Sequence, residues 1–335
     1  MLTKRQNLIE TLKGGKPDRF VNQYEAFSII YATPVTRQSP MPTYGGEPAV
    51  DAWGVTKAWP EGTPGAFPVH DAEHLVLKDI EHWKDYVKAP RVLFPEEDWV
   101  PFMKAMEEVD RKETFATLFY APGLFEQSHY LMNMQNCLIA FYTAPDEMHE
   151  LIRYITDFEL AYAEQACKYM KPEAFFQHDD WGSQISTFLS PEMFEEFFLE
   201  PYKEIYGYYK ANGVQLIMHH SDSYAKTLVP YMIEMGIDIW QGVMRTNDID
   251  ELIPEYGHKI AFMGGIDSAT IDFPEWNEEV VEARVRESCE KYGKFGYGFI
   301  PCASQGLPMS TFRGVYDATT KAIDKMSAEM FPIQA

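Results

Sequence analysis

Beyond residue 113 the hydrophobic period of the sequence switches repeatedly, each short apolar run giving way to an amphipathic stretch. The short apolar runs read as buried strands and the amphipathic stretches of period 3.6 as helices. Strands are expected over 114–120, 174–177, 214–218, 237–240, 260–263 and 297–300. Helices are expected up to about residue 142, over 146–170, from Ser190 onward, and over 224–235, 248–256, 277–292 and 311–330. Ser190-Pro191-Glu192 is a helix start, serine serving as N-cap and proline as the first helical residue. Strand followed by helix with short turns implies a parallel sheet, because each crossover must carry the chain back to the same edge. No glycine-rich G-x-G-x-x-G turn follows a strand, and polar residues gather after every strand rather than at one switch point. Both features favour a (β/α)8 TIM barrel over a doubly wound sheet.

Upstream, residues 4–12 place Leu8, Ile9 and Leu12 on one helical face before Gly14-Gly15 ends the pattern. Residues 23–89, with Trp53-Gly54, Trp59-Pro60 and Gly65-Ala66-Phe67-Pro68, form an irregular N-terminal excursion over one face. No linker or tandem repeat interrupts the chain, so residues 1–335 are expected to form one domain. Its net charge of −22 would repel nucleic acid and anionic membrane surfaces. Cys137, Cys167, Cys289 and Cys302 show no paired spacing, and no apolar run is long enough to span a bilayer. A cytoplasmic location is expected.

Polar residues at the strand ends are the candidates for chemistry. They include Tyr120 with Glu126 and His129 behind it, His178-Asp179-Asp180-Trp181, His219-His220-Ser221-Asp222, Trp240-Gln241, Gly264-Gly265-Ile266-Asp267, and Cys302 to Gln305. His220-x-Asp222 could point two ligands into one site, with Cys302 as a distant third, the three-ligand arrangement of a catalytic zinc. The same residues also suit a hydrogen-bonded core histidine, a helix-capping aspartate and a buried apolar cysteine. Tyr24, Tyr120, Trp181 and Trp240 would give the mouth an aromatic lining suited to a flat substrate.

Several motifs together resemble the uroporphyrinogen decarboxylase-like superfamily. They are the opening Lys4-Arg5-x-x-Leu8-Ile9-x-Thr11-Leu12-x-Gly14-Gly15-Lys16-Pro17-Asp18-Arg19, His178-Asp179-Asp180-Trp181-Gly182-Ser183-Gln184, Ser190-Pro191-Glu192-Met193-Phe194, the His220 strand end, Gly264-Gly265-Ile266-Asp267 and Gln305-Gly306-Leu307-Pro308. The resemblance spans nearly the whole chain and implies a (β/α)8 barrel. The decarboxylase branch implies an arginine-rich N-terminal segment for gripping carboxylates, but residues 19–27 read RFVNQYEAF. The chain is closer in character to the corrinoid-dependent methyltransferase branch, whose zinc is held by an H-x-C motif and a distant cysteine.

In that pattern His220-Ser221-Asp222 carries an aspartate where the first cysteine stands. The resemblance implies zinc on His220, Asp222 and Cys302, although a gap-free match on Gly306-Leu307-Pro308 puts Gln305 at the distant position. A carboxylate in place of a thiolate makes a harder site, better matched to oxygen. The expected reaction is therefore O-demethylation, moving methyl from a methyl ether, such as a methoxylated aromatic, to the corrinoid of a partner protein. Asp180, His178 and Glu126 would serve as catalytic groups, and Tyr24, Tyr120, Trp181, Trp240 and Gln305 as substrate contacts. Alternatives are a methylthiol or methylamine donor or a thiol acceptor, a metal-free lyase, and a non-catalytic barrel that binds a corrinoid protein. A homodimer is open.

Overall fold

The computed structural model describes residues 1–63, 65–305, 307 and 310–331. Gly306 and Pro308 of the closing motif lie outside the described residues. Seven parallel strands form the main sheet: β1 (Phe27–Ile30), β5 (Phe115–Tyr120), β6 (Ala174–His178), β7 (Leu216–His220), β8 (Ile239–Val243), β9 (Ala261–Ile266) and β10 (Phe299–Ala303). β2 (Ala49–Val50), β3 (Thr56–Ala58) and β4 (Phe67–Pro68) make a separate antiparallel sheet within the excursion. The main strands are ordered as they occur in the chain, with no reversal. That order excludes the doubly wound alternative.

The closed (β/α)8 barrel expected from the sequence is not what forms. The seven-stranded sheet curls into a half-barrel whose edges, β1 and β10, stay 13 Å apart. The reason lies just before β1. There Gln23 takes a left-handed φ of 50°, and tight turns link Glu25 to Asn22 and Phe27 to Tyr24. A chain turning this way cannot run as a strand beside β10, and the Gln23 amide reaches it only through one long bond to the Pro301 carbonyl, at 3.3 Å. After β1 the excursion adds its strands to the small sheet instead of supplying an eighth to the large one. Alternating strand and helix with polar strand ends is common to curled sheets whether or not they close, so the pattern alone did not separate the two.

Side chains along each strand alternate between two hydrophobic layers. The outer layer packs the sheet on helices such as Pro145–Tyr169 and Val315–Met330, and includes Leu118, Phe175, Ile217, Trp240 and Phe262. The concave inner layer contains Phe115, Ala174, Phe176, Met218, Ile239, Met263, Ile300 and Cys302. Leu8, Val21 and Tyr24 join that inner layer and plug the open seam. All four cysteines are free and buried. Among the described residues, no helix is long and apolar enough to cross a membrane.

Candidate active site

Two strands place the most polar residues of the inner face side by side. Phe176 and Met218 face inward, so His178 and His220, two residues further on, face inward as well. Register pairs His178 with His220, and their rings stack with centroids 4.3 Å apart. Each ring is tethered at Nδ1. His178 Nδ1 meets Glu126 Oε2 at 2.8 Å, and His220 Nδ1 makes a short bond with Gln241 Oε1 on the neighbouring β8. The Nε2 atoms are thereby left for something else. His220 Nε2 lies 3.9 Å from Asp180 Oδ1, and candidate ligand atoms of His178, Asp180 and His220 all lie within 4.8 Å of one another. The His220 side chain is 10% exposed, against 31% for His178 and 29% for Asp180, so the cluster is anchored at its base and open on one side.

Backbone geometry makes room for this packing. A bulge displaces β8 between Gln241 and Val243, and Gly242 there has φ 91°. A Cβ at Gly242 would stand 3.1 Å from both the His220 ring and the Asp222 amide, so a side chain there would push the ring out of place.

Charge coupling in the cluster is strong. Burial alone would lower His178, but the Glu126 carboxylate, with Asp180 and Asp222, raises it to about 10. Burial and the neighbouring His178 hold His220 down at about 4, against the pull of Asp180 and Gln241. Burial and Asp180 push Asp222 up to about 7, opposed by its side-chain bond with Gln305. The Asp222 amide donates to Asp180 Oδ1 at 3.0 Å. Asp222 therefore borders the cluster and braces Asp180 through its backbone.

The remaining candidates occupy different places. Cys302 is fully buried in the inner layer, where its thiol hydrogen-bonds with Tyr24 and burial pushes it well above the ordinary range. Tyr24 is itself buried at the seam, 6.1 Å from the Phe176 ring. Tyr120 faces outward against Tyr162, with centroids 4.9 Å apart. Trp181 stacks on His219 at 3.9 Å and donates to Asp179, while the Trp240 indole donates to the Ser221 carbonyl at 2.8 Å from the outer layer. Gln305 is exposed beyond β10. Glu126 is buried, bonded to His178 and to the Tyr130 hydroxyl.

Residues given no role from the sequence also belong to this mouth. Gln241 orients His220. Phe119 and Tyr31 are partly exposed on the inner side, their rings 5.2 Å apart, and Phe119 meets Phe176 edge-on at 5.2 Å. Helices cover the outer face of β5, so Phe119 can be exposed only to the mouth. Strict alternation along 115–120 would have separated Phe119 from Tyr120 beforehand.

A parallel sheet that gathers histidines and carboxylates at the carboxyl ends of its strands defines an α/β protein with its candidate site in the usual place for such sheets. The chain belongs to the uroporphyrinogen decarboxylase family, whose profile matches residues 121–326, more than half its length. A solved structure described as a methyltransferase from Methanosarcina mazei shares the fold, with TM-score 0.65 and 13% identity over 97% of this chain and 99% of that one. A D-allulose 3-epimerase from Methylomonas sp. aligns over 68% of this chain and 91% of its own at 10% identity, with TM-score 0.32. No curated protein sequence matches the chain.

Proposed function

We propose that this protein is a zinc-dependent methyltransferase, acting as one domain, that moves a methyl group from a methoxylated aromatic compound to a corrinoid carried by a partner protein. The observation that carries the proposal is the paired tethering of His178 and His220. Each ring binds an oxygen acceptor through Nδ1 and leaves Nε2 for a ligand, with Asp180 close to both residues and 3.9 Å from His220 Nε2. Histidines orient metal ions in this way, the outer partner fixing the tautomer and ring direction. Two imidazoles and a carboxylate suit zinc with an open position and favour an oxygen ligand over a thiol. Zinc held there would supply Lewis acidity toward an ether oxygen without changing its own redox state.

The chain's own residues account for the rest. Glu126 and Gln241 hold the two imidazoles, and Asp180 lies beside them, braced by the Asp222 amide. Asp222, bonded to Gln305, is assigned the proton taken up by the departing phenolic oxygen. Tyr31 and Phe119 offer a ring-stacking wall on the same inner face, which supports an aromatic donor. Methyl transfer by displacement needs the donor methyl aimed outward at the partner, and an aromatic wall fixes that direction.

Decarboxylation of a polycarboxylate would need free cations to grip the substrate. Arg19 is paired with Asp18 at 2.6 Å and Lys57 with Asp51 at 3.2 Å. The test uses the zinc-loaded protein with free cob(I)alamin and a panel of methoxyarenes, following methyl-cobalt formation spectrally. Methylcobalamin should form with at least one methoxyarene and not with methylamines. Turnover of methylamines beside a flat response to every methoxyarene would reject the donor class.

A further inference from the structure

We infer that Asp179, which faces no open space, is the positioning residue that sets the Glu126–His178 pair. Asp179 is fully buried and accepts four hydrogen bonds. Its Oδ2 receives the Phe125 amide at 3.0 Å, the Trp181 indole at 2.9 Å and a short bond from the Tyr202 hydroxyl. Its Oδ1 receives the Glu126 amide, at 2.7 Å. The helix Leu124–Met132 begins at Gly123, which has no side chain to cap it. The carboxylate from the end of β6 therefore caps it across the fold, satisfying amides of the first turn.

Gly123 records how closely the two segments approach. A Cβ there would fall 2.5 Å from Asp179 Cβ and 2.6 Å from the Tyr202 hydroxyl, and the Gly123 amide donates to the His178 carbonyl at 2.7 Å. The Asp179 backbone is fixed as well, its carbonyl meeting His219 Nε2 at 3.1 Å while His219 Nδ1 meets the Tyr206 hydroxyl at 2.7 Å. Glu126 is the third residue of that helix, and its side chain holds His178 Nδ1. Beyond the peptide bond that joins the two residues, the path from the Asp179 carboxylate to the His178 ring thus runs through one backbone amide and one carboxylate.

The two oxygens of Asp179 are unequal, and this allows a specific test. In Asp179→Asn three donors hold the amide oxygen at the Oδ2 position, which turns the NH2 group against the Glu126 N–H. Two donors face each other, the helix start is displaced, and the bond between Glu126 and His178 lengthens. A purely structural role would lower stability and leave the imidazole contact unchanged.

The zinc arm of the experiment rests on the proposed function; the proton-resonance arm does not. In the metal-free protein, the Nδ1–H proton of His178 should resonate far downfield, identified by its loss in His178→Gln. In folded Asp179→Asn, checked by circular dichroism, that resonance should vanish and zinc affinity, measured by competition with a chromophoric chelator, should fall roughly 10-fold. In a Glu126→Ala background, Asp179→Asn should weaken zinc no further. Tyr202→Phe keeps the carboxylate and removes one anchor. It should shift the resonance and weaken zinc about threefold, again only while Glu126 is present, and it decides the matter alone if Asp179→Asn does not fold. If the wild type holds no zinc, the metal reading fails and the proton resonance alone decides. An unchanged resonance in the folded variants, or an equal loss of zinc affinity with and without Glu126, overturns the inference.

Discussion

At β6 and β7 the inward column of side chains passes from Phe176 and Met218 to His178 and His220, whereas at β10 it passes from Ile300 to Cys302 and stops under Tyr24. Both places are strand ends on the same concave face, and both carry residues able to bind a metal. They differ in what surrounds them. The histidines have oxygen partners on neighbouring elements and an open side, while Cys302 lies in the apolar plug that Leu8, Val21 and Tyr24 form across the seam. Burial raises the pKa of a thiol in that setting, and its one hydrogen bond, with Tyr24, only partly offsets this. Ligand potential is therefore decided by the neighbours that desolvate, charge or tether a group, more than by residue type.

The largest effect that could break this contrast belongs to His220. His220→Ala removes one ligand and should abolish stoichiometric metal binding, seen by elemental analysis of dialysed protein, with methyl transfer falling to background. Next comes the tether. Glu126→Ala leaves all three cluster ligands in place and should weaken zinc roughly 10- to 100-fold by calorimetric titration. At the seam, Tyr24→Ala should leave zinc affinity within twofold yet cost about 3 kcal/mol in urea unfolding, because it empties part of the plug.

A subtler prediction concerns acid. Burial holds His129 at about 4 and His220 at about 4, both below the ordinary histidine value. Through these two groups the unfolded chain binds more protons than the folded one between about pH 6.5 and 4, so they make stability of the metal-free protein decline as pH drops, while Asp179 and Asp222, raised to about 7 by burial, act in the opposite sense over the same window. His129→Gln should make this decline shallower; an identical slope would contradict the assignment for that residue. The smallest effect is expected for Cys302→Ala, about 1 kcal/mol of stability with no change in metal content.

Much of the scaffold was legible from the sequence. The short apolar runs marked the strands from β5 to β10 to within a few residues, and Ser190 does accept the Met193 amide as an N-cap. Closure was not legible, because it turns on the left-handed Gln23 and the short β1, neither of which changes the alternation downstream. In the site, His178, Asp180 and His220 could be named from their strand ends. Their meeting required the cross-strand register of β6 with β7, which sequence does not display. Tyr120 and Trp240 stood beside inward-facing residues in the sequence but point outward, since neighbours on a strand lie on opposite faces. Gln241 went without a role because a strand glutamine carries no motif, and its function follows only from pairing with His220.

Replacing the proposed zinc with cobalt(II) and recording the absorption spectrum distinguishes an ion held by the β6 and β7 histidines with Asp180 from one held by the seam cysteine. One cobalt per chain is expected, with d–d bands but no thiolate-to-cobalt charge-transfer band, and a spectrum unchanged in Cys302→Ala but lost in His220→Ala. An intense near-ultraviolet thiolate band that disappears in Cys302→Ala would contradict this expectation.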